Sequence, residues 1–419
     1  MKIITRIQKL LVYSQHASAF VSIKSSPASK CAAAAAAGGA DNMICFATKS
    51  MVEQDQDMIL KQIFVRDIPL LDVRAEGEFA KGAFPTSVNI PILNDEQRHL
   101  VGCCYKERGP EAAYQLGVQL VGPVKDERVK AWKDFAQSNP SGYVYCFRGG
   151  SRSQISQGSL KEAGIDYPLV PGGYKRMRQF LIDELERIQD LPIIMIGGRT
   201  GSGKTRLLKQ FATHVDLEGL ANHRGSAFGA LIQPQPSQIN FENQLAIEFL
   251  KLQQSDQRPI FIEEEGRRIG QMTLPLNMHT AMLEKYPVIE MELSMNDRVQ
   301  ICMQDYVTEL FPLFQAEYGN SAAPEAFRRV HLNNLGRIKK RVPHYEIVHQ
   351  QVTRALDMFL ESGNESGFCE PIEAMLHYYD KMYDYQADNR KGEVLFRGDS
   401  QAILEWARSP EGHRKLAEV

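Results

Sequence analysis

The stretch YCFRGGSRSQ, Tyr145 to Gln154, ends an apolar run on a cysteine and follows it with two glycines, two serines and two arginines. A thiolate at the mouth of a strand-to-helix turn is stabilised by converging backbone N–H groups and by the positive helix end, so its pKa falls and its nucleophilicity becomes available. Gly149 and Gly150 let the backbone fold into such a nest. Arg148 and Arg152 add fixed positive charge able to bind an oxyanion delivered to the sulfur. Cys146, Arg148 and Arg152 are therefore the candidate catalytic group, with a buried thiol beside a surface turn as the plain alternative.

A second stretch carries phosphate chemistry. Gly198-Arg-Thr-Gly-Ser-Gly-Lys-Thr205 satisfies G-x-x-x-x-G-K-[ST] and follows the apolar run PIIMIG. Its backbone N–H groups can ring a phosphate, Lys204 adds a point charge, and Thr205 can reach a metal ion. The expected phosphate-binding set is Gly198, Gly201, Ser202, Gly203, Lys204 and Thr205. Glu263, Glu264 and Glu265 end the run PIFIEEE, where Glu263 or Glu264 could hold Mg²⁺ or orient water. A solvated acidic strand end accounts for them equally well, and no metal is certain. Nothing in the residues separates a nucleotide from another diphosphate.

Both loops need strands and helices to present them. PLLDV opens a strand, short helix, strand pattern that continues to a second strand around Ser87–Ile92. SGYVYCF is a further strand, SQISQGSLKEAG the helix that leaves it, and YPLVPGGYKRMRQFLIDELERI a short strand, a double-glycine turn and a long amphipathic helix. A boundary falls near Asp190–Pro192, where the strand before the phosphate loop begins. RPIFIEEEG and PVIEMEL are additional strands, and residues 296–360 have a helical pattern. The expected architecture is α/β: two units at 56–190 and 191–419, the second ending in a helical C-terminal part.

Composition bounds the rest. The chain has 419 residues, 43% apolar and 24% charged, which suits two ordinary domains. A net charge of -2 neither demands nor excludes a nucleic-acid partner. Seven cysteines without CxxC pairs argue against a disulfide framework and a structural zinc site, and for a reducing compartment. No apolar run reaches the length of a membrane span. Between Met1 and Ala40 stand five basic residues and no acid, then the run Ala32–Ala37. That pattern is read either as an organellar transit peptide or as a non-native extension, so residues 1–55 are expected outside the core. The expected location is cytoplasmic, or organellar if the extension is a genuine transit peptide.

The cysteine loop, together with DVRAEGEFAKGAFPTSVNIP, resembles the rhodanese family, whose cysteine accepts sulfur or selenium as a persulfide or perselenide. The matched residues are Asp72, Arg74, Glu78, Phe79, Gly82, Pro85, Asn89 and Pro91, then Cys146 and its loop. The C-x5-R spacing to Arg152 also fits cysteine phosphatases, but Tyr145 stands where many of those carry histidine. The order of the two units, with VGCCYKERGPEAAYQLG, GIDYPLVPGGYKRMR, VDLEGLANHRGSAFG and YYDKMYDYQ, closely resembles the tRNA 2-selenouridine synthase family from about Asp67 to Trp406.

That resemblance implies a rhodanese-like domain followed by a P-loop NTPase-like α/β domain. It implies replacement of sulfur by selenium in 2-thiouridine at the tRNA wobble position, with selenophosphate, supplied by a selenophosphate synthetase, as donor. It further implies transfer of a geranyl group from geranyl diphosphate to that sulfur, the S-geranyl intermediate then yielding to selenium. Both compounds are co-substrates, and no tightly bound cofactor is expected. Cys104 matches a recurrent family cysteine and could relay the chalcogen, although a packed thiol fits as well. For tRNA contact the candidates are Arg337, Lys339, Lys340 and Arg341 in GRIKKRVPHY, with Arg328 and Arg329 nearby. Arg224, beside His223, is a candidate on family resemblance alone. A solvated helix face is the alternative for the basic cluster, and the tyrosines of HYYDKMYDYQ could stack a base or pack a helix. The competing functions are a P-loop kinase or NTPase with a regulatory rhodanese-like domain, a plain sulfurtransferase, and a non-enzymatic tRNA adaptor.

Overall fold

Three short parallel strands, β1 (Leu70–Asp72), β2 (Ser87–Asn89) and β3 (Tyr143–Tyr145), form a first sheet in the order β2-β1-β3. The computed structural model describes residues 54–226, 228–255, 259–340 and 342–419. The expected extension over 1–55 therefore lies outside the described residues except for its last two, and Arg341 lies outside them as well. Residues Ile59–Val419 make one compact unit.

β1 is buried throughout, as a central parallel strand must be. The expected strand, helix, strand order is present, with the short helix at Glu76–Lys81. β1 ends at Asp72, and the chain turns away at Arg74. Its guanidinium donates to both carboxylate oxygens of Asp72 at 2.6–3.1 Å and to the carbonyls of Glu78 at 3.3 Å and Gly82 at 2.9 Å. It also lies 3.9 Å from the centroid of the Tyr174 ring. This buried ion pair is tolerated because its donors and acceptors are satisfied at once, and it closes the 75–82 turn onto the sheet.

The second sheet is all parallel, in the order β10-β9-β4-β6-β5. Its strands are β4 (Ile193–Gly198), β5 (His214–Val215), β6 (Ile260–Glu263), β9 (Val288–Met291) and β10 (Val394–Gly398). A small antiparallel hairpin joins β7 (Arg268–Ile269) to β8 (Met272–Thr273). All six residues of β4 are buried, so the phosphate loop leaves the middle of the sheet. Helices Met295–Met303, Leu310–Arg337, Tyr345–Ser362 and Cys369–Asn389 follow, packed on a core of their own that includes Phe314, Phe327, Val352, Leu356 and Phe368.

The two sheets share one apolar core. Phe180 and Leu181 on helix Gly173–Arg187 pack with Phe241 and Leu245 on helix Gln238–Leu252. Polar contacts set the register of this junction: Asn243 donates to the Ala83 carbonyl and accepts from Arg178, both at 2.8 Å, while Ala83 N–H donates to Asn240 at 2.8 Å. A Cβ on Gly82 would come within 2.5 Å of Ile239, so close approach requires glycine there.

Candidate active site

β3 delivers Cys146 to its C-terminal end, and helix Ser151–Glu162 begins where the turn closes. Gly149 has φ 68°, a left-handed conformation that glycine adopts without penalty. The segment after Val170 backs the turn: Tyr174 N–H donates to the Cys146 carbonyl and Lys175 N–H to the Phe147 carbonyl, each at 2.9 Å. Any side chain at Gly173 would overlap the Cys146 carbonyl and the Gly149 amide. Cys146 is only 3% exposed, and its Sγ accepts from the buried Ser153 hydroxyl at 3.1 Å. Beside Gly150 there is open space, since a Cβ there would meet nothing within 4 Å. The sulfur thus lies buried at the foot of the turn, in the core cluster of Leu71, Val73 and Trp132, with open space beside Gly150.

The two arginines differ in environment. Arg152 forks onto Glu78 at 2.6 and 3.2 Å, and Arg98 meets the same carboxylate at 2.8 Å. Although burial opposes it, the Arg152 bond and charge hold the Glu78 carboxyl below its usual range. Arg152 therefore ties the cysteine loop to the 75–82 turn with its charge balanced. Arg148 is exposed, its guanidinium 5.8 Å from the centroid of the Phe147 ring. Cys104 is half-buried on helix Asp95–Val121, which kinks at Gly109 with φ 85°.

At the phosphate loop, Gly201 and Gly203 have φ near 76° and 79°, and Gly201 lies so close to Cys302 that a Cβ would be 2.5 Å from its sulfur. Lys204 Nζ donates to the Gly198 carbonyl at 2.8 Å. Because β4 and β6 are immediate neighbours, Thr205 reaches the strand-end acid directly, donating to Glu263 at 2.6 Å. Glu218, one turn beyond β5, lies 3.3 Å from the same hydroxyl, and its N–H donates to Glu263 at 3.2 Å. Glu264 turns elsewhere, to Arg390 at 2.7 Å and Tyr383 at 3.1 Å. From the helical part, Arg298 donates to the Thr200 carbonyl at 2.9 Å and forks onto Asp380 at 2.6 and 2.9 Å, which fixes the loop's shape.

Three carboxyls crowd this end of the loop. Burial first, then Glu218 and Asp216, pushes Glu263 up to about 7. Glu218 is likewise raised by burial and then by Glu265, and Glu265 by burial and, despite Lys204, by Glu263. Thr205, Glu263 and Glu218 are the oxygen donors a magnesium ion would use beside a bound phosphate. The described residues contain no group of three or more His, Cys, Asp or Glu already disposed to hold a metal ion.

The raised values have a stability consequence. A carboxyl whose folded pKa exceeds its unfolded 4.5 keeps a proton that the unfolded chain has released, so its contribution is present below 4.5 and is lost as pH rises to about 7. The unfolding free energy of the ligand-free protein is expected to fall between about pH 5 and pH 8, by an amount on the order of 1–3 kcal/mol. Glu265→Gln should flatten that slope. Equal slopes in variant and parent, measured by urea titration, would show that the acids are not coupled.

The loop opens on a cavity of about 1110 Å³ whose walls include Lys204, Glu218, Arg224, Glu265, Arg337 and Tyr383. Ser202 Oγ and His223 Nδ1 belong to residues of the same wall, are buried and have no hydrogen-bond partner among the described residues. Buried polar atoms are ordinarily paired, which sets these two apart from the other polar atoms of the wall. Arg224 also donates to the Asp305 carbonyl. GRIKKRVPHY is not a helix interior: one helix ends at Arg337 and the next begins at Tyr345, with Lys339 and Lys340 on the turn between them. Lys339 pairs with Glu346 at 3.0 Å and Lys340 is exposed. Tyr379 and Tyr383 line the cavity, whereas Tyr385 is 71% exposed. Cys146, Arg148 and Arg152 are not among the lining residues.

Sequence reasoning passed over Ser153, Glu218, Arg298 and Asp380. Only Glu218 left a local trace, in the acids of VDLEG that directly follow β5.

A family model described as tRNA 2-selenouridine synthase AAA domain matches residues 191–414. The chain is 47% identical over 352 residues to the tRNA 2-selenouridine synthase of Marinobacter nauticus, covering 83% of this chain and 96% of the relative. It is 46% identical over 351 residues to that of Shewanella halifaxensis, with the same shares. To that of Pseudomonas syringae pv. syringae it is 44% identical over 367 residues, 86% of this chain and all of the relative.

Proposed function

Because the chain belongs to the tRNA 2-selenouridine synthase family, we propose that its cysteine turn and its phosphate loop serve two steps on one nucleobase. It is a transferase-type enzyme that modifies tRNA by forming selenouridine. In our reading the substrate is tRNA with 2-thiouridine at the wobble position, and the selenium donor is selenophosphate supplied by a selenophosphate synthetase. Residues 56–190 act as a rhodanese-like domain and 191–419 as a P-loop domain. The reaction is assigned to the cytoplasm. Among the described residues no helix is long and apolar enough to cross a membrane.

In the first step the thiouridine sulfur attacks the allylic carbon of geranyl diphosphate. A carbon–sulfur bond forms, the carbon–oxygen bond breaks, the base gives up its N3 proton to water, and diphosphate leaves with its charge on the loop amides and Lys204. In the second, selenium bonds to C2 of the base, the carbon–sulfur bond at C2 breaks, and geranylthiol departs. Water takes the phosphoryl group of selenophosphate as phosphate. Alkylation makes the departing sulfur a better leaving group than a thiocarbonyl. Cys146 engages the incoming chalcogen, Arg148 and Arg152 border it, and Cys104 is the second thiol that could pass it on. Mg²⁺, if bound, would be held at Thr205, Glu263 and Glu218 and would offset charge on the diphosphate.

The observation that carries this reading is one chain with a cysteine at the foot of a glycine turn and, separately, a phosphate loop opening on a large cavity with basic residues in its wall. Arg224, Arg337, Lys339, Lys340 and Arg341 supply the tRNA contacts. Arg337→Ala should weaken tRNA binding alike for all sequences and lower the slope of log affinity against log salt by about 1. An unchanged slope removes Arg337 from the interface. The reading as a whole is tested by mass analysis of wobble nucleosides after incubating 2-thiouridine tRNA with the protein, geranyl diphosphate and selenophosphate. S-geranyl-2-thiouridine should rise and then give way to 2-selenouridine; selenouridine formed equally well without geranyl diphosphate rejects the two-step route.

A further inference from the structure

Beside the phosphate cavity lies a second, smaller one of about 60 Å³, enclosed mainly by the helical C-terminal part. Val307, Val352, Phe368, Ile372, Met375 and Leu376 supply its walls. Thr200, Ser226, Tyr306 and Tyr379 belong to both walls, so the two cavities adjoin at the phosphate loop itself. Polar groups in the small cavity are mostly engaged elsewhere. The Tyr306 and Ser226 hydroxyls bond each other at 2.8 Å, and both ring nitrogens of His331 lie 3.0 Å from backbone carbonyls, those of Phe327 and Tyr306. Burial pushes the Cys302 thiol up to about 12, so it lines the wall as an uncharged group.

Such a wall gives little to a base or a ribose, whose polar edges would be left unpaired. It suits a hydrocarbon, and an apolar cavity tends to stay dry until one arrives. Roughly 10–15 Å³ of such space accommodates one water-sized sphere. The pocket therefore holds about four to six such spheres, room for a short hydrocarbon segment rather than a long chain.

Resting on the geranyl diphosphate reading above, we propose that this pocket receives the hydrocarbon chain of an allylic diphosphate whose diphosphate group sits on the phosphate loop, and that the pocket's depth sets the accepted chain length. Met375, half-buried on helix Cys369–Asn389, is the specificity-determining side chain best placed to be exchanged without opening the core.

The test measures binding of geranyl, farnesyl and inorganic diphosphate to the full chain by calorimetry, with thermal unfolding as a control for folding. The parent protein should bind geranyl diphosphate at least roughly tenfold more tightly than inorganic diphosphate, because the chain leaves water. Met375→Trp should keep the affinity for inorganic diphosphate and lose that advantage. Met375→Ala should raise the affinity for farnesyl relative to geranyl diphosphate, and it carries the test alone if the tryptophan variant does not fold. A geranyl preference untouched by either variant means that the cavity is only a packing void and the chain lies elsewhere, with the allylic diphosphate reading intact. No geranyl preference in the parent protein instead overturns that reading, and the pocket assignment with it.

Discussion

Cys146→Ser is expected to lower 2-selenouridine formation by at least roughly a thousandfold while S-geranyl-2-thiouridine still accumulates. A serine hydroxyl lacks the soft, polarisable sulfur that meets the selenium of selenophosphate, so a transfer that needs the donor positioned at that sulfur stops. The substitution is otherwise conservative. The smaller oxygen fits where Sγ sat, the Ser153 hydroxyl 3.1 Å from that sulfur keeps a polar partner, and the turn is held by the Tyr174 and Lys175 amides whatever the side chain. The unfolding midpoint should accordingly stay close to that of the parent, which separates a chemical defect from a folding one. Nucleoside mass spectra read both products from one sample. Selenouridine made at the parental rate would show that Cys146 is a packed thiol. Nucleotide turnover that survives the substitution, with no tRNA product from either protein, would point to a P-loop NTPase carrying a regulatory domain.

Lys204→Ala is expected to act on the other step, lowering geranyl transfer by about 100–1000-fold, the loss typical when one donor to a developing anion is removed. Lys204 Nζ donates to the Gly198 carbonyl, and its charge opposes the upward shift of the crowded acids Glu218 and Glu265. Its removal withdraws charge from the departing diphosphate and leaves those acids without an offsetting neighbour. Repulsion of the anion should then grow as pH rises, so the defect should be larger at about pH 8 than at about pH 6. Selenium insertion into tRNA that is already geranylated should be spared. An alanine variant that geranylates at the parental rate, or one that fails equally on pre-geranylated tRNA, would mean that the loop does not serve the first step.

Set side by side, the two variants partition the reaction. One should stop the route after geranylation and the other before it, and tRNA recovered from each should differ accordingly. Supplying pre-geranylated tRNA rescues the lysine variant and not the cysteine variant, a contrast that a general loss of tRNA affinity could not produce.

Much of the site was legible in local sequence because its parts are local. The phosphate loop is a contiguous run in which Gly201 and Gly203 take left-handed φ values and the buried strand β4 leads in, so composition and neighbourhood announce it together. The cysteine turn is readable for the same reason, with Gly149 at φ 68° between a strand and a helix. Helix Asp95–Val121 runs on through Gly109–Pro110, a pair that ordinarily ends a helix and here only kinks it, so its length is not evident from local sequence. β10 could not be placed from its own residues, because it joins β9 only after the entire helical part has intervened.

What contiguous residues determined was therefore the cysteine turn, the glycine-rich loop after β4, the α/β class and the acid-bearing end of β6, all features that depend on spacing along the chain. Tertiary structure alone decided which charges meet. It spends Arg152 on Glu78, sends Glu263 to Thr205 and Glu264 to Arg390, gathers Glu218 and Glu265 around Lys204, and sets an apolar pocket from distant helices against the phosphate loop. Coulomb and hydrophobic terms act on distance in space, and residues far apart in the chain acquire that distance only when the sheets and helices have packed.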